Sequence, residues 1–73
     1  MTTSATTMSV TVNGEPRRVS AGATIAAMLR ELDIDPARVA VERNMAIVAR
    51  STLDEVAVAE DDSFEIVHFV GGG

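Results

Sequence analysis

One helical stripe, set between stretches that alternate as strands do, limits what this chain can fold into. Apolar residues recur at the i, i+3, i+4 and i+7 spacing of a single helix face: Ile25, Met28, Leu29 and Leu32. Thr24 precedes the stripe as an N-cap, and Asp35-Pro36 is predicted to stop the helix because the residue before proline avoids the α region. A single apolar helix face needs a second layer, and the flanking segments predict that this layer is a β-sheet.

The segment before the helix predicts a β-hairpin. Residues 8–12 alternate with Val10 facing inward, and residues 16–20 form the predicted return strand. Asn13-Gly14 between them is the strongest two-residue turn signal, because both residues tolerate positive φ. A strict two-residue turn places inward-facing Val10 opposite Arg17, so a bulge or a longer loop is expected to relieve that mismatch.

Three short strands are predicted after the helix, at residues 39–43, 46–49 and 63–70, with a turn at Asn44 and one helical turn at residues 53–56. The last strand is apolar on both faces, which predicts a central strand covered on two sides. The order of elements favours an α+β fold in which one main helix crosses one face of a mixed, four- to five-stranded sheet. If the last strand pairs with the first, the chain end projects from the sheet.

The composition excludes several kinds of site. The chain has no cysteine, which removes disulfides, thiolate metal ligands and thiol nucleophiles. Its one histidine, His68, cannot form a histidine cluster, so we expect no metal site. A net charge of −5 and the absence of Trp and Tyr disfavour nucleic acid and anionic membranes as partners. The acidic charge suits a basic partner protein, although solubility alone also explains it.

The ends of the chain predict a short leader and a short tail. Residues 1–7 are small and polar and are expected to be a disordered leader, followed by the folded domain at residues 8–70 and a flexible tail at residues 71–73. Met8 is a candidate for the native start. The leader lacks the charge and apolar core of a signal peptide, and no stretch approaches about 20 apolar residues. We therefore expect a cytoplasmic protein, monomeric alone, that forms transient complexes.

The remaining polar residues favour structural roles. Asp61 and Asp62 predict a solvated acidic turn, and Arg17 and Arg18 are expected to face solvent rather than bind phosphate. His68 is placed on a sheet face as a structural residue. No pair of carboxylates is spaced for acid–base catalysis, and no glycine-rich loop lies between a strand and a helix to hold a phosphate. We therefore expect no enzymatic activity from the chain itself.

Three consecutive glycines, residues 71–73, end the sequence. By itself such an end favours a flexible terminus, but glycine also suits a tail that enters a narrow tunnel in another protein, because it lacks a Cβ. Three extended residues reach about 10 Å. The terminal α-carboxylate, with a pKa of about 3.5, is a poor electrophile and needs activation, most economically as an acyl-adenylate. Without cysteine to hold a persulfide, a C-terminal thiocarboxylate is the form in which this chain could carry sulfur.

Four segments resemble the ThiS family of sulfur carriers for thiazole synthesis. They are VNGE at residues 12–15, VAVERN at residues 39–44, IVARS at residues 47–51 and DDSFEIVHFVGGG at residues 61–73. The last segment is the most specific, and the resemblance extends over about residues 8–73. The chain departs from the family at Met45, where many members have glycine, so the turn there is expected to be longer or of another type.

The resemblance implies a ubiquitin-like β-grasp fold and a carrier function in thiamin biosynthesis. In that family a ThiF-type enzyme uses ATP to adenylate the terminal glycine, sulfur from a donor protein gives the thiocarboxylate, and thiazole synthase receives the sulfur. On this match Gly73 is the modified residue, and Gly71 and Gly72 form the tail that threads the partner. The ATP site belongs to the partner, so the chain itself is expected to bind no cofactor.

The root of the tail and the pathway each leave alternatives. Phe69 and Val70 finish the core, form a small apolar contact for the partner, or do both. A MoaD-like carrier for molybdopterin shares the fold and the chemistry, so it is the nearest alternative pathway. A ubiquitin-like protein modifier, or an interaction module with an inert tail, would use the same terminus differently.

Overall fold

Residues 6–70 of the computed structural model form a five-stranded sheet with one α-helix. The strands are β1 (Thr7–Val12), β2 (Glu15–Ser20), β3 (Val39–Arg43), β4 (Ala46–Ile47) and β5 (Ser63–His68), and helix α1 (Ile25–Glu31) connects β2 to β3. This confirms the α+β class and the mixed sheet predicted from the sequence. Residues 1–5 and 71–73 lie outside the described residues, and with them most of the predicted leader and the whole glycine tail.

The sheet order is β2-β1-β5-β3-β4. The central pair, β1 and β5, is parallel, and the other neighbouring strands are antiparallel. Strand β1 begins at Thr7, one residue before the predicted strand, and the Thr6 carbonyl accepts a hydrogen bond from the Ala21 N–H at 3.0 Å. The last strand, β5, thus pairs with the first strand, β1. This is the condition under which the sequence predicted a chain end that projects from the sheet.

The core lies between α1 and one face of the sheet. Ile25, Met28 and Leu29 of the predicted helix stripe are fully buried, and Leu32 is half-buried at its end. The strands contribute alternate residues to the same core: Met8, Val10, Val12, Val19, Val39, Val41, Phe64 and Ile66. Burial of apolar side chains of this size stabilises the fold by about 1.5–3 kcal/mol each.

Helix α1 begins where predicted and ends earlier. The Thr24 hydroxyl accepts a backbone hydrogen bond at 3.1 Å, which confirms the N-cap. The predicted stop at Asp35-Pro36 is wrong, because Asp33 adopts a left-handed conformation (φ 63°) and the Ile34 N–H donates back to the Leu29 carbonyl at 2.8 Å. The proline instead begins a 3₁₀ turn. No helix among residues 6–70 is long and apolar enough to cross a membrane.

The β1–β2 turn is a strict two-residue turn, so the expected bulge or longer loop is wrong. Asn13 and Gly14 both have positive φ, and Val10 pairs directly with Arg17. The mismatch is tolerated because β2 is an edge strand that reaches the core only through Val19. Val10 is therefore buried while the Arg17 side chain opposite it lies in solvent.

The β3–β4 turn also has two residues. Asn44 (φ 50°) and Met45 (φ 72°) connect Arg43 directly to Ala46, which pair across the turn. Two successive positive φ values are the geometry that an Asn-Gly turn of this length adopts. The expectation of a longer or different turn is therefore wrong, and Met45 occupies a conformation that favours glycine.

Strand β4 is shorter than predicted. It contains two residues and is followed by a 3₁₀ turn at Arg50–Thr52. The helical turn predicted at residues 53–56 comes directly after it, where the Val56 N–H donates to the Thr52 carbonyl at 3.0 Å. The Val48 N–H still donates to the Val41 carbonyl at 2.9 Å, so the chain follows β3 for one residue beyond the strand. Ile47, at the end of β4, is 83% exposed.

Strand β5 is central, as predicted, but only one of its faces is covered. Phe64 and Ile66 face the core and are buried, whereas Val67 on the opposite face is 63% exposed. The helix packs on one side of the sheet only, so the prediction of cover on both sides is wrong. Apolar residues of β5 thus face solvent as well as the core.

Candidate partner-binding site at the end of strand β5

The chain leaves the sheet directly after β5. The Phe69 N–H donates to the Arg38 carbonyl at 2.9 Å, which is the last sheet-like hydrogen bond of β5 within residues 6–70. Val70 follows and is 96% exposed. The predicted modified residue, Gly73, comes three residues later and, with Gly71 and Gly72, lies outside the described residues.

Phe69 does not finish the core. Its side chain is 54% exposed, and its ring packs under the Arg50 guanidinium, whose central carbon lies 5.1 Å from the ring centroid. Arg50 also donates to the Ala37 carbonyl at 2.9 Å, which fixes the guanidinium at the start of β3. Since Phe69 and Val70 are both exposed, they remain candidate partner contacts, and the alternative that they complete the core is wrong.

The open face of the sheet carries an apolar and acidic patch beside this exit. Val67 pairs with Ala40, and Glu65 pairs with Glu42, which in turn pairs with Ile47. Side chains of directly paired residues lie on the same face, here the face opposite the helix. We call Ala40, Glu42, Ile47, Glu65 and Val67 the outer patch. All five side chains are exposed.

The rest of the open face is polar and internally satisfied. The Arg18 guanidinium donates to the Thr7 hydroxyl at 2.6 Å and to the Ser9 hydroxyl at 2.9 Å. Arg17 lies on the other face, the helix side, where it pairs with Val10 and its guanidinium is 3.2 Å from the Glu15 carboxylate. Both arginines face solvent, as predicted. The apolar residues of the open face are therefore concentrated on β3, β4 and β5, on the side from which the tail departs.

The Asn13 side chain holds β5 where β1 has ended. The β1–β5 ladder stops at the pair Val12 and Phe64. Beyond it, the Asn13 amide oxygen accepts from the Ile66 N–H at 2.7 Å, and its amide nitrogen donates to the Ile66 carbonyl at 3.2 Å. The side chain thus replaces the next residue of a strand. The sequence identified Asn13 as a turn residue only, because nothing in a hairpin pattern reveals a contact 53 residues away.

Asp62 is buried, so its prediction as part of a solvated turn is wrong. The residue is only 5% exposed. Its carboxylate accepts hydrogen bonds from Arg43 Nε at 2.9 Å, from the Asn44 amide at 3.1 Å and from the Ala59 N–H at 2.8 Å. Asp61 is exposed, as predicted. A single sequence cannot distinguish these adjacent aspartates, because only the fold brings Asp62 to the β3–β4 turn.

The Asp62 carboxylate is held in its ionised form. Burial opposes ionisation, but the hydrogen bonds from the Ala59 N–H, the Asn44 amide and the Arg43 guanidinium, together with the Arg43 charge, lower the pKa of Asp62 below its usual value. The network joins the loop before β5 to the turn after β3. Its role is to fix the strand that carries the chain end.

Within residues 6–70, no group of three or more His, Asp or Glu side chains is placed to hold a metal ion. The single histidine, His68, is exposed at the end of β5. The region around the end of β5 is therefore an exposed apolar and acidic surface beside the point where the chain leaves the sheet.

A mixed five-stranded sheet crossed by one helix, with the chain end leaving the central strand, defines a ubiquitin-like β-grasp protein. The crystal structure of the thiamine biosynthesis protein ThiS from Geobacter metallireducens matches with a TM-score of 0.76 and 32% identity, over 90% of this chain and 100% of that chain. The ThiS family model matches residues 10–73. The chain belongs to the ThiS family.

Other relatives differ in length. The sulfur carrier protein ThiS of Bacillus subtilis is 42% identical over 50 residues, which are 68% of this chain and 76% of that protein. Proteins named thiazole synthase from Magnetococcus marinus and Paramagnetospirillum magneticum are 48% and 50% identical over 66 residues. Those 66 residues are 90% of this chain and only 20% of either relative, so this chain spans about a fifth of the length of those two proteins.

Proposed function

We propose that this chain is a sulfur carrier for thiamin biosynthesis and that Gly73 is the residue that carries the sulfur. Membership of the ThiS family supports the pathway. The observation that carries the site is the exit from the sheet, since the last hydrogen bond of β5 is made by Phe69 and Val70 is 96% exposed. A carrier needs its reactive terminus outside the folded body, and three extended residues beyond Val70 span about 10 Å.

The proposed chemistry begins with activation of the Gly73 carboxylate. One carboxylate oxygen attacks the α-phosphorus of ATP, pyrophosphate leaves, and an acyl-adenylate forms. Hydrosulfide, or the terminal sulfur of a donor protein's persulfide, then attacks the carbonyl carbon, and AMP leaves with that oxygen. In the persulfide case a thiol must reduce the resulting acyl disulfide. The product is a thiocarboxylate in which one sulfur has replaced one oxygen.

The proposed partners supply the ATP site and the sulfur acceptor, and this chain supplies only the reactive terminus. A ThiF-type enzyme would hold ATP and adenylate Gly73, so the chain itself would act as a carrier without a cofactor site of its own. A thiazole synthase would accept the sulfur. Two relatives that match this chain over a fifth of their length are named thiazole synthase, which supports that choice of acceptor. Phe69 and Val70 would contact the partner at the mouth of the tunnel that receives Gly71 and Gly72.

Intact-mass spectrometry tests the proposal. The chain is incubated with the ThiF-type enzyme of the same genome, ATP, Mg²⁺ and sulfide, and we expect a mass increase equal to exchange of one oxygen for sulfur, localised to Gly73. A molybdopterin-type activating enzyme, shown to be active on its own carrier, is run in parallel. A shift with that enzyme alone would reassign the pathway, and no shift with either would refute the carrier function.

A truncated variant provides the control. Removal of Gly73 should abolish the mass shift, because the shortened tail no longer places a carboxylate at the same depth in the activating enzyme. An interaction module with an inert tail would instead bind its partner unchanged after loss of this residue. The mass of the protein isolated from its own host further tests whether Gly73 carries a free carboxylate there.

A further inference from the structure

The outer patch contains two like charges that face each other. Glu42 and Glu65 are directly paired across β3 and β5, so their Cβ atoms lie about 5 Å apart on the open face of the sheet. Like charges placed directly opposite destabilise a sheet. Both side chains are exposed, and neither forms an ion pair with any side chain of residues 6–70.

No arginine of the chain compensates this pair. All six are engaged elsewhere, five of them with carboxylates or hydroxyls and Arg50 with the Ala37 carbonyl and the Phe69 ring. The sequence has no lysine, since its six basic side chains are these arginines. What distinguishes Glu42 and Glu65 from other exposed carboxylates is that they are paired directly across two strands with no cation between them.

Apolar side chains flank the pair on both sides. Val67 is 63% exposed and lies next along β5 on the same face, while Ile47 is 83% exposed and pairs with the other side of Glu42. Ala40 is paired with Val67 on the same face. Two carboxylates flanked by apolar side chains match an arginine presented among apolar neighbours, and arginine is one of the residues enriched in protein interfaces.

We propose that the outer patch is the docking surface for the adenylating enzyme, and that this enzyme places one arginine between Glu42 and Glu65. This rests on the proposed carrier function for the identity of the partner. Arginine fits because its planar guanidinium presents five donors and can bind two carboxylates at once. The net charge of −5 would steer a basic surface towards the chain.

The position of the outer patch explains how docking would aim the tail. Val67 precedes the exposed Val70 by three residues of extended chain, which is about 10 Å. A body fixed at the outer patch therefore delivers residues 71–73 into a site just beyond the edge of the contact. The same geometry makes the patch a determinant of KM, since it lies away from the reacting carboxylate.

Neutral isosteres test the carboxylate pair. The variants are Glu42→Gln, Glu65→Gln and the double change, with Glu55→Gln as the control, since Glu55 is also exposed but lies outside the outer patch. We measure the Kd for the ThiF-type enzyme by calorimetric titration without ATP, and kcat and KM for loading of Gly73. Each patch change should raise Kd and KM roughly tenfold while kcat stays constant, and Glu55→Gln should change neither by more than about twofold.

Loss of folded protein cannot account for weaker binding, because removal of like-charge repulsion should leave the Gln variants at least as stable as the wild type. The Kd of the wild type should also rise with salt more steeply than that of the double variant. Equal Kd values for patch and control variants, or no binding of the wild type, would overturn the docking proposal. Weaker binding of the patch variants without any mass change at Gly73 would uphold docking and refute the carrier function instead.

Discussion

Replacement of Asp62 by asparagine tests how much the fold depends on one buried carboxylate. Three donors converge on it: Arg43 Nε and the Ala59 N–H on one oxygen, and the Asn44 amide on the other. An asparagine offers one acceptor oxygen and turns an NH₂ group towards a donor. Asn44 cannot simply rotate its amide to compensate, because its oxygen already accepts the Ser63 N–H at 2.9 Å.

The magnitude follows from those contacts. Loss of a hydrogen bond to a charged group costs about 1.5–3 kcal/mol, and removal of one member of a fully buried ion pair costs about 3–5 kcal/mol. Water reduces the second cost here, since the Arg43 side chain is 28% exposed. We therefore expect Asp62→Asn to lower the free energy of unfolding by about 2–3 kcal/mol, a large part of the roughly 4–11 kcal/mol available to a domain of this size.

Urea unfolding followed by far-ultraviolet circular dichroism measures this change, since the chain has no Trp or Tyr for fluorescence. The control is Asp61→Asn, which makes the same chemical change at an exposed position with φ 69°, where asparagine is well tolerated. It should change stability by less than about 0.5 kcal/mol. Equal effects of the two substitutions would refute the assignment of the carboxylate network.

Three further predictions concern pH and the two turns. Because the pKa of Asp62 is lowered in the folded state, its carboxylate stabilises the fold above the unfolded pKa of about 3.9, and this stabilisation is lost as pH falls through the folded pKa. The difference in free energy of unfolding between the wild type and Asp62→Asn, measured in urea, should therefore shrink on acidification. Asn13→Gly keeps the positive φ but removes both bonds to Ile66, and should cost about 1–2 kcal/mol and speed amide exchange at Ile66; an unchanged exchange rate would refute the clamp. Met45→Gly should raise the free energy of unfolding by about 0.5–1 kcal/mol by relieving φ 72°, whereas Met45→Ala should give no such gain.

Local patterns predicted the elements whose causes are local. The helix stripe, the Thr24 cap and the alternation of β3 each depend only on residues that are close in sequence, and the structure contains all three. The helix end was mislocated because the proline is a stronger sequence signal than an aspartate in a left-handed conformation. The end is set by the Asp33 turn and by Ile34 packing against the core, which a pattern of polar residues does not reveal.

Contacts between distant segments were the part that the sequence could not supply. Burial of Asp62 depends on the approach of β3 to the loop before β5, and the Arg50–Phe69 contact depends on the position of the turn after β4. The outer patch has the same origin, since Glu42 and Glu65 are 23 positions apart and become neighbours only through the β3–β5 register. For the chain end, the family resemblance named Gly73, while the exit geometry at Val70 required the fold.

The two asparagine turns have a common consequence for the strand that carries the chain end. Asn13 and Asn44 have the same φ of 50°, and each uses its side chain to bond the backbone of β5, at Ile66 and at Ser63. Strand β5 is thereby held from both sides by side chains where the neighbouring backbones turn away. Beyond Ile66, Val67 and His68 pair with β3 on one side only, and Phe69 is held by the Arg38 carbonyl and the Arg50 guanidinium. A strand anchored near its start and free on one edge near its end can present a terminus to an enzyme without loosening the core beneath it.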